Sequence, residues 1–152
     1  MATGTERPVR RLAAFWDTSA LVPLCVRQGI TPHAIALFKR HEVVVWWSTP
    51  VEIASALARL SRRNQIDSDD YLTARKLAKD LSQIWAVIQP TETLRAKAVQ
   101  LLDRHDFRAA DSLQLAAALE WCENLPHGRM FLTFDEKLRE AALLSGFDAE
   151  RI

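Results

Sequence analysis

Cysteine is scarce in this chain: 152 residues hold only Cys25 and Cys122, each inside an apolar stretch. That excludes a disulfide framework and gives no zinc-ligand spacing, so both are expected to be reduced, packed thiols. The histidines, His33, His41, His105 and His127, also lack ligand spacing. A zinc hydrolase or a catalytic histidine pair therefore has little support. Long apolar runs are missing too: no segment approaches the roughly 20 residues needed to cross a bilayer. Met1–Arg11 has arginines but no apolar run behind them, as a secretory leader would have. The expectation is a soluble, cytoplasmic protein. Nor is there an excess of one charge sign, since 20 Lys and Arg face 19 Asp and Glu, a formal net charge of +1. Whole-chain electrostatics do not advertise a polyanion partner, so any nucleic-acid site must be local. No internal repeat or low-complexity stretch is present.

What the chain does have is apolar material, 49% of its residues, which suffices for one buried core. Residues 1–11, with Gly4, Pro8 and three arginines, read as a flexible N-terminal tail, and residues 12–152 as one folded domain. Leu12–Trp16 is a short apolar run that stops at Asp17-Thr18-Ser19, as a buried strand stops before a helix. That helix should bend near Pro23, and another should run from Thr31-Pro32 to about Arg40. Val43–Trp47 reads as a strand buried on both faces. Helical spacing follows from Val51 to Arg63, and after the break at Asn64–Ser68 a second helix through Leu81 should complete a hairpin. Trp85–Ile88 reads as extended, Glu92 to about Leu102 as a helix, and the alanine-rich stretch Ala109–Trp121 as a helix packed closely on a sheet. Arg129–Thr133 reads as a strand and Asp135–Leu144 as a helix stopped by Gly146 before a last short strand. Strands separated by long helices imply an α/β fold, a central parallel sheet with helices on both faces.

In such sheets ligands gather beyond the carboxyl ends of the strands, which is where Asp17 and Asp135 fall. Each could equally be a helix N-cap. Asp111 lies among small and apolar residues, so a carboxylate buried there needs a partner or a cation. Glu52 poses the same question, with an ordinary solvated helix face as the alternative. Carboxylates converging from strand ends and helix starts would make a hard-oxygen pocket for Mg²⁺ or Mn²⁺. Such a pocket suits phosphodiester cleavage by an activated water.

Four segments in order, Phe15-Trp16-Asp17-Thr18-Ser19-Ala20-Leu21, Thr49-Pro50-Val51-Glu52, Arg108–Ala116 and Leu132-Thr133-Phe134-Asp135, resemble the PIN-domain ribonucleases of the VapC toxin type. The resemblance covers nearly everything from Leu12 onward. It implies a compact PIN fold, Mg²⁺- or Mn²⁺-dependent endoribonuclease activity, inhibition by a cognate VapB-type antitoxin, and a homodimer. Transfer RNA is a frequent target in that family. By position, Asp17, Glu52, Asp111 and Asp135 match the family's acidic quartet. Asp17, Asp111 and Asp135 are its inner metal-holding residues, and Ser19 and Thr133 are polar support. For RNA contacts the sequence offers Arg59, Arg62, Arg104 and Arg108, with Arg63 beside them. Two readings within the fold remain open, an RNA-processing nuclease without an antitoxin and an RNA-binding module without turnover. An aspartyl-phosphate phosphatase is disfavoured, because Ser19 occupies the place of the second acid such enzymes need.

Overall fold

The computed structural model describes residues 10–150. Of the expected tail, residues 1–9 lie outside the described residues. Arg11 donates to the carbonyls of Phe38 and His41 and lies over the Phe38 ring, 5.2 Å from its centroid.

β1 (Leu12–Trp16) forms because Ala14, Phe15 and Trp16 are apolar on both faces of the strand, and all three are buried. α1 (Thr18–Cys25) continues through Pro23, and α2 (Thr31–Arg40) takes Pro32 in its first turn, where no amide proton is missed. β2 (His41–Trp46) follows at once. α3 (Thr49–Arg62) and α4 (Ser68–Ser82) pack side by side, with Leu57 and Leu60 in the same core as Tyr71 and Ala74. Then come β3 (Ala86–Ile88), α5 (Glu92–Leu102), α6 (Ala109–Trp121), β4 (Met130–Leu132) and α7 (Glu136–Ser145).

All pairings in the sheet are parallel, in the order β3-β2-β1-β4. Period-two alternation divides the core. Ala14, Trp16, Val43, Val45 and Leu132 face α1 to α4, whereas Phe15, Val44, Trp46 and Phe131 face α5 to α7. The expected α/β class with helices on both faces is therefore the observed one. The alanines of α6 explain its close approach to the sheet, since Ala116, Ala117 and Ala118 are fully buried.

Local expectations differ at the edges. Trp47 falls outside β2 and is 54% exposed. The last strand reduces to one bridge, Met130 to Asp148, because the chain then turns toward Arg40, which pairs with Glu150 at 3.0 Å. Both cysteines are free and buried, as expected.

The chain builds β2 and β3 on one side of β1, then returns to place β4 on the other. Strand order thus reverses between β1 and β4, and the crevice beyond their carboxyl ends is where α/β sheets bind ligands.

Candidate active site

Asp17 occupies that crevice. Its backbone is extended (φ −73°, ψ 156°), and its amide donates to the carbonyl of Leu132 at 2.9 Å, tying the end of β1 to the end of β4. Its side chain caps α1, with Oδ2 accepting from the Ser19 amide at 3.3 Å. The same oxygen accepts the hydroxyls of Ser19 at 2.6 Å and Thr133 at 2.9 Å. A hydroxyl has one proton to give. With both protons committed to Asp17, the two oxygens are free to accept, and they take the amides of Phe134 (2.9 Å, on Ser19) and Asp135 (3.0 Å, on Thr133). Burial raises the Asp17 carboxyl above its ordinary value, and these hydrogen bonds only partly offset the shift.

Asp135 is the N-cap of α7, its Oδ1 accepting from the Leu138 amide at 2.9 Å. The capping role and the strand-end position therefore coexist in Asp17 and Asp135. Asp111 differs from expectation. It is half-buried rather than buried, because it stands in the first turn of α6, where Ala109 and Ala110 are exposed. Its Oδ2 accepts from the Arg108 amide at 3.2 Å.

Glu52 is also half-buried, so the simple solvated face does not describe it. Its partners are Ser48 and Gln114, both donating to Oε2 at 3.0 Å. Burial raises its carboxyl, and the negative charges of Asp17 and Asp111 raise it further.

Gln114 is the polar residue that sequence reasoning passed over. It is 1% exposed, and its Nε2 lies 3.4 Å from both Thr18 Oγ1 and Thr49 Oγ1, so one amide joins α6 to the starts of α1 and α3. Its Oε1 is buried with no partner among the described residues. The available signal was a lone amide inside the otherwise apolar run Leu113–Ala118.

Asp17, Glu52, Asp111 and Asp135 all line one open cleft of about 660 Å³, together with Ser19 and Arg59. The other arginines are placed differently. Arg108 is exposed and caps α6 beside the cleft, and Arg62 is exposed at the far end of α3. Arg104 lines a separate depression with His105 and Leu144, and Arg63 lines a neighbouring one with Gln65.

The donor chemistry of the cleft is carboxylate and hydroxyl oxygen, which fits a hard divalent cation and not a thiol- or imidazole-seeking one. Among the described residues no three acidic, histidine or cysteine side chains are drawn together tightly enough to hold an ion. Two carboxyls raised by burial, Glu52 also by the neighbouring negative charges, are the condition that a cation relieves.

Comparison with known proteins gives the same outline. The PIN domain family matches residues 14–144. The crystal structure of FitAcB from Neisseria gonorrhoeae is similar, with a TM-score of 0.61 at 16% identity over 89% of this chain and 96% of that one. At that identity the likeness concerns the fold. No curated protein matches the sequence.

Proposed function

The chain belongs to the PIN domain family, whose members are generally nucleases, and from that premise we propose a metal-dependent endoribonuclease, the toxin half of a toxin–antitoxin pair. One observation carries the reading: four carboxylates from four separate chain segments line a single cleft beyond the ends of β1 and β4. Asp17, Asp111 and Asp135 would hold Mg²⁺ or Mn²⁺. A bound cation of this kind supplies a water of lowered pKa and positive charge against the phosphate.

The chain's own residues set the rest. Ser19 and Thr133 fix the Asp17 carboxylate by their two protons, so its position is settled before substrate arrives. Glu52 has Oε2 committed to Ser48 and Gln114, which leaves Oε1 to orient the attacking water and take its proton. Burial raises its proton affinity, the direction a proton acceptor needs. Arg59, on the same wall, offsets phosphate charge.

The partners in this reading are an RNA substrate, with transfer RNA one candidate, a VapB-type antitoxin and a second copy of the chain. The test is cleavage of RNA by the purified protein in Mg²⁺ or Mn²⁺. We expect cleavage to stop in excess EDTA and to fall about a thousandfold in Asp17→Asn, the scale of losing a principal charge-stabilising group. Cleavage undiminished in either arm would overturn the proposal.

A further inference from the structure

α3 has a second cleft on its opposite flank. Val51, Glu52, Ser55, Ala56 and Arg59 border the acidic cleft, whereas Pro50, Ile53 and Ala54 border a groove of about 460 Å³ between α3 and α4. Helical spacing puts the two sets on opposite sides. The remaining wall of the groove comes from α4 and includes Arg75, Lys76 and Lys79, with Trp85 beyond the helix. No acid lines it. Lys76 pairs with Asp80 at 2.8 Å, and Arg75 donates to the Tyr71 hydroxyl at 3.0 Å. The groove thus concentrates three cations on a chain whose net charge is +1. It also carries an unmatched donor, since Trp85 is 9% exposed and its Nε1 is buried with no acceptor among the described residues.

A polyanion meets opposite fields on the two flanks of this helix. The acidic cleft repels phosphates unless a cation is bound, so a cationic surface outside it would add to the affinity for RNA. We infer that the α3–α4 groove is the binding track for the RNA phosphate backbone, an inference that rests on the ribonuclease reading. Arg75, Lys76 and Lys79 contact successive phosphates of a single strand. The strand then passes over the start of α3, a helix about 10 Å across, into the acidic cleft. Pro50 and Val51 lie at that crossing and border one cleft each.

The test uses a labelled oligouridylate long enough to span both clefts, with Asp17→Asn protein in magnesium so that binding is read without turnover. Replacing Arg75, Lys76 and Lys79 together by glutamine should weaken binding on the order of tenfold at low salt. It should also reduce the slope of log affinity against log salt by about 2, for three contacts on a single strand. In the parent background the same substitutions should leave cleavage of a dinucleotide unchanged, because a dinucleotide does not reach the groove. Equal melting temperatures for parent and variant certify the fold. Unchanged oligonucleotide affinity and salt slope would overturn the inference, as would a variant that loses only self-association. Groove-dependent binding without metal-dependent cleavage by the parent would sink the ribonuclease reading and keep the track; cleavage with groove-independent binding would do the reverse.

Discussion

Thr133 gives its proton to Asp17 and receives the amide of Asp135, so one side chain of nearly valine's shape serves two neighbours. Thr133→Val keeps the volume and removes both bonds. It should destabilise the protein by about 1–3 kcal/mol, the range for leaving a buried polar partner unmatched. The Asp17 carboxyl should then titrate higher still and bind Mg²⁺ only at higher pH, while Thr133→Ser restores both properties. Urea unfolding and calorimetric Mg²⁺ titration would read the two effects; a valine variant indistinguishable from the parent in both would refute the role. At this scale the sequence was informative where an acid followed a strand, because strand end and helix cap leave local marks. Gln114 showed only as a lone amide in an apolar run, and its partners were not readable, since Thr18, Thr49 and Glu52 are brought together only by the packing of α1, α3 and α6.

Element boundaries obeyed the same division between local and distant causes. Gly146 ends α7 with φ at +105°, a conformation L side chains rarely adopt, and its amide returns to the carbonyls of Ala142 and Leu143. A β-carbon there would also meet Pro126 Cγ at 3.1 Å. Gly146→Ala should therefore cost about 1–2 kcal/mol in chemical denaturation. Gly29→Ala, at a position with open space around it, should be near neutral or slightly stabilising. Equal costs for the two substitutions would contradict this account of the helix stop. Helix starts and stops were readable because caps, prolines and glycine act within a turn. The last strand was not, because whether Asp148 pairs beyond one bridge depends on the direction the chain takes toward Arg40. Trp47 was misplaced for a similar reason: β2 ends where its neighbour β3 ends, with Trp46 opposite Ile88.

Across the whole molecule, Asp17 and Glu52 make stability depend on pH. Both carboxyls are raised in the folded state, chiefly by burial, so between the ordinary carboxylate range and their folded values the native protein holds more protons than the unfolded chain. Stability of the metal-free protein must then fall as pH rises through that window and level off above it. Melting temperatures in EDTA should show this decline, Asp17→Asn should flatten it, and the gain from added Mg²⁺ should grow with pH. A metal-free protein that becomes more stable across the same window on account of these groups would contradict the assignment. The fold class was legible from the alternation of strands and helices, but the opposite charges on the two flanks of α3 were not, since α4 supplies one set and four separate segments the other. The tie between Asp17 and Thr133 spans 116 positions of the chain. During synthesis, therefore, Asp17 emerges with only its local partner Ser19 and gains the Thr133 hydroxyl once β4 docks. Completion of the cleft therefore waits on a segment far along the chain, the docking of β4 beside β1.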